Sequence, residues 1–326
     1  MRFIVYGAGA IGAVIGAGLQ QAGYEVVLIA RGAHAQALRE RGLRLESHAG
    51  NLQLPVNVVE HPRELELDSS RDLVILAMKT QHLENARDEL AALAPPDLPV
   101  ACAQNGVEAE RLALRRFSHV QAISVLVPAV YLEPGVVQVF GKPLFGVLDL
   151  GRYPAGRDET SETLSAAFRA GNFGSEVRED IQVAKYSKLI ANLGNAVEAL
   201  AGPEGRKSAV AEIVREEAFA VLRAAGLRYD LEAAAKRIAL VNPVPLRDSP
   251  RPGGSSWQSL SRGTGNIETD FLNGEIVLLS RLTGIPTPAN QLLQRLANEH
   301  ARARRAPGSI PIAELGRLVQ QARAAV

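Results

Sequence analysis

The feature that most constrains this chain stands at its start. Gly7-Ala8-Gly9-Ala10-Ile11-Gly12 spells G-x-G-x-x-G, between the apolar run Arg2–Tyr6 and a helix-patterned stretch at 11–22, with a second apolar run at 25–30. The order strand, glycine turn, helix, strand has a mechanical reading. The first glycine permits a tight turn, and the second lets the backbone approach a pyrophosphate. The third lets the helix pack close to the sheet, and the helix N-terminus faces the negative charge. A glycine-rich packing turn would use the same letters, but it would not demand this flanking order. A β-α-β unit that binds a dinucleotide is the expectation.

The rhythm continues. Apolar runs at 73–77, 99–103 and 122–127 alternate with helix-compatible stretches such as 33–40 and 83–93, which predicts a mostly parallel sheet covered by helices. Between about 131 and 150, Pro134-Gly135 and the runs 136–140 and 144–148 read as a hairpin. After about Glu179 helical periodicity dominates, at 181–201, 206–225, 231–240, 266–283 and 288–302. A segment at 242–255, with Pro243, Pro245, Pro250, Pro252, Gly253 and Gly254, interrupts it. The 326 residues suit two domains at roughly 100–200 residues each. The expected fold class is an α/β Rossmann-type dinucleotide-binding domain over 1–178, followed by an all-α substrate and catalytic domain over 179–326. The cleft between them is the default site.

Composition narrows the function. Lys plus Arg is 36 against 35 for Asp plus Glu, so the net charge is +1. That balance leaves no footprint for nucleic acid or an anionic membrane, and Arg302, Arg304 and Arg305 read as a solvated helix end. Cys102 is the single cysteine and can form neither an internal disulfide nor a zinc cage, which points to a reducing compartment. The uncharged run 3–19 after Arg2 mimics a secretory signal. Gly7, Gly9, Gly12, Gly16 and Gly18 punctuate it, however, and it is shorter than the roughly 20 residues of a membrane span. A cytoplasmic protein is expected. Apolar helix faces in the second domain admit a homodimer, and composition does not choose.

The residue after the second strand bears on the cofactor. NAD sites usually place an acid about 20 residues past the motif, to hold the ribose hydroxyls. This chain has Arg31, whose guanidinium suits a 2′-phosphate, so NADP(H) is favoured over NAD(H).

Only six of the 36 cations are lysines, so each lysine is a question. Lys188, Asn192, Asn195 and Glu198 follow at offsets of four, three and three, on one helical face. They form either a solvent-facing stripe or a functional face. Lysine can give up a proton when desolvated and arginine cannot, so only lysine suits proton donation. Ser255-Ser256-Trp257, with Glu268 twelve residues after Ser256, reads most simply as a helix cap and a first-turn acid. Lys79-Thr80 and Gln104-Asn105-Gly106 follow predicted strands, at the carboxyl edge where open α/β sheets bind ligands. A plain turn is the alternative for Gln-Asn-Gly.

Taken together and in this order, these motifs resemble the ketopantoate reductase (2-dehydropantoate 2-reductase) family over nearly the whole chain. The start Met1 to Gly12, Arg31, Lys79-Thr80, Gln104-Asn105-Gly106, Lys188 with Asn192, and Ser256 with Glu268 all match. So do Asn273-Gly274 and the stretch from Gly284 to Asn290. The resemblance implies an NADPH-dependent oxidoreductase acting on a small 2-oxo acid. Gly7, Ala8, Gly9, Ala10, Ile11, Gly12 and Arg31 would hold NADP(H), with Lys79 contacting it and Asn105 between cofactor and substrate. Lys188 would be the general acid and Asn192 would hydrogen-bond the substrate. Ser256 would fix the carboxylate, and Glu268 would bind the hydroxyl and orient Lys188.

The chain departs from the pattern in three places. Ala196 stands where a second asparagine is usual, with Asn195 one position earlier as a substitute. Trp257-Gln258-Ser259-Leu260 replaces a Gln-Asp step, and Gly141-Lys142-Pro143 thins a glycine-rich stretch. These touch the substrate pocket, not the reaction type. Two other readings stand beside the first: a related NADP-dependent dehydrogenase with a different substrate, and a non-catalytic NADP(H)-binding sensor or assembly protein.

Overall fold

The computed structural model describes residues 1–246 and 253–325; Pro250 and Pro252 of the loop noted above lie outside them. The chain divides into two compact units, Met1–Lys185 with Asp230–Arg251, and Tyr186–Tyr229 with Pro252–Val326.

The first unit is built on strand β1 (Arg2–Tyr6). Alternate residues of β1 serve opposite faces. Phe3 and Val5 join one core cluster, with Leu28 and Ile75, whereas Ile4 and Tyr6 join another, with Val27, Ile29, Val74 and Leu76. A strand buried on both sides reads as a continuous apolar run, which is why it was visible in the sequence. Helix α1 (Ala10–Gln21), β2 (Glu25–Ile29) and α2 (Gly32–Arg41) follow, then β3 (Leu43–Ser47), β4 (Gly50–Leu54), β5 (Asn57–Val59), β6 (Asp72–Leu76), α3 (Leu83–Ala91), β7 (Val100–Cys102) and α4 (Ala109–Leu114). Beyond them lie β8 (Val120–Leu126), β9 (Ala129–Glu133), β10 (Val136–Val139), β11 (Gly141–Pro143), β12 (Gly146–Arg152), α5 (Glu159–Ala170) and β13 (Phe173–Gly174).

The main sheet has the order β13-β12-β8-β7-β6-β1-β2-β5. All its pairings are parallel except β12 with β8. Because β1 sits between β2 and β6, the strand order reverses at β1, and the crevice beyond its carboxyl end is the topological switch point of a doubly wound, Rossmann-type sheet. The glycines that broke up the signal-like run have a packing use. A Cβ on Gly16 would lie 2.7 Å from Leu28 Cδ2, and one on Gly18 would lie 2.5 Å from the Gly171 carbonyl, so α1 sits tight on the sheet and on α5. Among the described residues no helix is long and apolar enough to cross a membrane.

The hairpin read at 131–150 is real but differently partnered. Gly135, at φ +86°, turns β9 back on β10, and these strands form a small sheet of order β4-β3-β10-β9. The later run becomes β12 and pairs with β8 in the main sheet instead. Helix α9 (Leu231–Ala239) and β14 (Val241–Pro243) also belong to this unit: β14 pairs antiparallel with β11, and Arg237 Nε donates to Asp149 Oδ2 at 2.8 Å.

The second unit is helical. The run read as one helix at 181–201 is two, α6 (Ile181–Asn192), whose residues up to Lys185 belong to the first unit, and α7 (Gly194–Ala201). Leu193 between them keeps helical angles and its N–H is shared by the carbonyls of Leu189 and Ile190, so the polar face continues through the break. Then come α8 (Ala209–Ala224), α10 (Ser255–Ser261), α11 (Asn273–Thr283), α12 (Pro288–Arg302) and α13 (Ile312–Ala324). The Asn273 and Asn290 of the C-terminal motif are structural. Asn273 Nδ2 donates to Asn290 Oδ1 at 3.0 Å, and Asn290 Nδ2 donates to the Val214 carbonyl at 3.0 Å, which ties α11, α12 and α8 together through buried amides.

Candidate active site

The glycine loop is shaped by backbone crowding. Gly7, at φ +100°, has Met78 N where a Cβ would sit, 2.7 Å away, and a Cβ on Gly12 would meet the Gly7 carbonyl at 2.2 Å. Gly9 differs from both. Its φ of −73° suits any residue, and a Cβ there would meet nothing within 4 Å. Neither conformation nor internal packing asks for glycine at this position. It is the N-cap of α1, whose first turn carries no acid, and Ala10 and Ile11 beside it are only partly buried. Ala8 is buried, with its carbonyl 2.7 Å from His34 Nε2. An open space over a helix N-terminus fits a pyrophosphate.

Arg31 follows β2 and N-caps α2. Its Nη2 donates to Glu89 Oε2 of α3 at 2.6 Å and to the Tyr6 hydroxyl at 3.1 Å, while the Tyr6 hydroxyl donates to the same Glu89 oxygen. Burial pushes the Tyr6 hydroxyl's pKa up, and hydrogen bonding to Glu89 pushes it further. Burial also raises the Glu89 carboxyl, but Tyr6 and Arg31 outweigh that and hold it below the usual carboxylate range. Tyr6 and Glu89 were not read as site residues, and no local signal marks them: Glu89 is 58 positions from Arg31.

Lys79 stands immediately before the short turn Thr80–His82, past the end of β6. Asn105 lies past the end of the adjacent β7, in a turn closed by Gly106 at φ +83°. The residue before it is anchored from two sides. Gln104 Nε2 donates to the carbonyls of Leu76 (2.8 Å) and Met78 (3.1 Å), and the Gln104 carbonyl accepts from Lys185 Nζ at 3.2 Å. Lys185 also pairs with Glu110 of α4. Both are buried, at 2% and 0% side-chain exposure, so Lys185 is committed to an ion pair three residues ahead of Lys188.

In the second unit the solvent-stripe alternative does not hold. Asn192, Asn195 and Glu198 are buried, Lys188 is partly buried, and the exposed residue of this stretch is Ala191. Arg206 holds the last two members of the pattern: its Nη2 donates to Asn195 Oδ1 and its Nε to Glu198 Oε2 at 2.6 Å. The same Glu198 oxygen accepts the Gly254 N–H at 3.1 Å. Gly254 is the N-cap of α10, and no serine side chain caps that helix. Thus the simple capping reading of Ser255-Ser256 also fails. Glu198 instead tethers the start of the helix that carries Ser256, itself 2% exposed. Trp257 lies against Gly253, where a Cβ would come 2.6 Å from its Cγ. Glu268 is buried and opens the turn Glu268–Phe271 ahead of α11. Lys188, Asn192, Asn195, Ser256 and Glu268 all belong to this unit. Among the described residues no group of His, Cys, Asp and Glu is arranged to hold a metal.

Comparison with known proteins finds two family models along the chain. Residues 3–154 match the family model described as "Ketopantoate reductase PanE/ApbA", and residues 180–301 match "Ketopantoate reductase PanE/ApbA C terminal". A 2-dehydropantoate 2-reductase of Mesorhizobium japonicum is 30% identical, over 92% of this chain and 98% of its own. Another, from Pyrococcus horikoshii, is 29% identical over 91% and 96%. A crystal structure of a PanE/ApbA family ketopantoate reductase from Ralstonia eutropha matches with TM-score 0.77 at 31% identity, covering 93% of this chain and 99% of that one. A D-mandelate dehydrogenase solved with NADH and anilino(oxo)acetate shares the fold, with TM-score 0.78 at 22% identity over 93% and 99%.

Proposed function

The chain belongs to the ketopantoate reductase family, and from that premise we propose that it is an NADPH-dependent reductase of a small 2-oxo acid, with 2-dehydropantoate as first substrate and (R)-pantoate as product. The observation that carries the nucleotide half is Gly9, a glycine that neither its backbone angles nor its neighbours require. A ligand's close approach is the remaining reason for it. Gly7 and Gly12 hold the loop's shape, the α1 N-terminus faces the pyrophosphate, and Arg31 is the cation for a 2′-phosphate. Lys79 and Asn105, past neighbouring strand ends, extend that surface toward the reacting end.

Bound NADPH supplies the hydride that adds to the carbonyl carbon. Lys188 supplies the proton that completes the alcohol, passing it from its ammonium to the carbonyl oxygen. Asn192 hydrogen-bonds the substrate, Ser256 holds its carboxylate, and Glu268 receives the product hydroxyl and orients the lysine. The buried pairing of Lys185 with Glu110 speaks for Lys188 rather than its neighbour on the same helix. We place this chemistry in the cytoplasm, where both substrates are small soluble anions.

A second reading, another 2-oxo acid as substrate, is favoured by one contact. Asn195, the stand-in for the family's second asparagine, already accepts from Arg206. The test is a panel of 2-oxo acids with NADPH and NADH, followed by nicotinamide absorbance. Turnover of 2-dehydropantoate supports the first reading, and turnover of another acid alone supports the second. Nucleotide binding without any turnover leaves the non-catalytic sensor.

A further inference from the structure

The end of β2 is already supplied with negative charge. Arg31 Nη2 lies 2.6 Å from Glu89 Oε2, and His61 Nε2 lies 3.6 Å from the same oxygen. One residue on, the Gly32 N–H at the start of α2 donates to Glu60 Oε2 at 3.4 Å, and Arg39 holds the other Glu60 oxygen at 2.7 Å. A guanidinium and a helix N–H are the donors a 2′-phosphate would gather at this edge. Here both are turned toward protein carboxylates, one from α3 and one from beyond β5. Glu89 is not a loosely swinging partner. The Tyr6 ring is 4% exposed in the core under α3, and its hydroxyl donates to the Glu89 oxygen that Arg31 also holds.

This arrangement changes what Arg31 alone implied. A 2′-phosphate carries about two negative charges at neutral pH, and at Arg31 it would arrive within a few ångströms of an ionised Glu89. A 2′-hydroxyl would instead find an acceptor there. An NAD site places its acid at the end of the second strand; this chain brings its acid to the same spot from a helix 58 residues later. We propose that Glu89 is a specificity-determining residue of the nucleotide site. Its carboxylate accepts the adenosine ribose hydroxyls of NADH and holds the preference for NADPH down, so that both nucleotides serve as hydride donors.

The proposal rests on the nucleotide-binding reading above and is tested apart from it. Dissociation constants for NADPH and NADH are measured by fluorescence titration on wild type, Glu89→Gln, Glu89→Ala and Arg31→Ala, with thermal unfolding as a check on each fold. Removing one unit charge a few ångströms from a phosphate changes affinity by about tenfold. Both Glu89 variants are expected to tighten NADPH and loosen NADH, raising the preference ratio by about tenfold or more, while Arg31→Ala lowers it. A ratio unchanged within about twofold in both Glu89 variants, with NADPH weakened in Arg31→Ala, overturns the role of Glu89 and leaves the nucleotide reading standing. A wild type that binds neither nucleotide overturns both.

Discussion

The glycine loop after β1 holds its shape by what it lacks, whereas the polar face of α6 and α7 holds its shape by what it recruits. In the loop, Gly7 and Gly12 leave room for backbone atoms that would otherwise collide, and the constraints come from the loop itself, from β1 and from Ala77 and Met78 just past the end of β6. On the helices, polar groups sit in the interior and depend on partners far along the chain. Lys185 depends on Glu110 and the Gln104 carbonyl, Asn195 and Glu198 on Arg206, and the Gly254 N–H on Glu198. At Gly7 and Gly12 the first region therefore tolerates no added atom, and the second tolerates no lost charge.

That contrast can be broken by mutation. The largest effect is expected at Lys185→Ala, which strands a fully buried Glu110. Removing one partner of a buried ion pair costs about 3–5 kcal/mol, measurable by urea unfolding. The double variant Lys185→Met with Glu110→Leu should recover most of that loss. A single variant as stable as wild type would show that the helix face does not depend on its recruited charge. Next comes Gly12→Ala, whose Cβ would sit 2.2 Å from the Gly7 carbonyl. Crowding of that kind costs about 1–3 kcal/mol or more, and nucleotide binding should be lost with it. Glu198→Gln keeps the shape but gives up the charge that holds Arg206 and Gly254, for about 1–2 kcal/mol. It should raise KM for the 2-oxo acid more than it lowers kcat, because it loosens the start of the Ser256 helix.

The smallest stability effect is the sharpest test of the loop. Gly9→Ala adds a methyl to open space, so its unfolding free energy should stay within about 0.5 kcal/mol of wild type, while NADPH affinity falls at least several-fold. A destabilised Gly9→Ala with intact binding would make Gly9 a packing glycine like its neighbours.

The same contrast explains what could be read from the letters. The turn between β1 and α1 was legible because steric crowding there calls for glycine at fixed spacing, and β1, β2 and β6 because strands buried on two faces are largely apolar. The hairpin of β3 and β4 carried its signal in the alternation of Leu43, Leu45, Leu52 and Leu54, although the stretch was not read as strands. Helix α13, near the end of the described residues, was likewise unread. At the site, Lys79 and Asn105 were placed correctly at strand ends. Helical spacing grouped Lys188, Asn192, Asn195 and Glu198, but it could not say that the face is turned inward or that Arg206 holds Asn195 and Glu198. Glu89, Tyr6, Glu110 and Arg206 were out of reach, because their meaning comes from partners that only the folded topology supplies.

Rates with NADPH and the best 2-oxo acid for wild type and Lys188→Ala, with NADPH affinity measured on the same two proteins, test the central claim most directly. General acid catalysis contributes typically about 10²–10⁴-fold. The account predicts a loss of kcat in that range with NADPH affinity unchanged. A Lys188→Ala enzyme that turns over at the wild-type rate would contradict it.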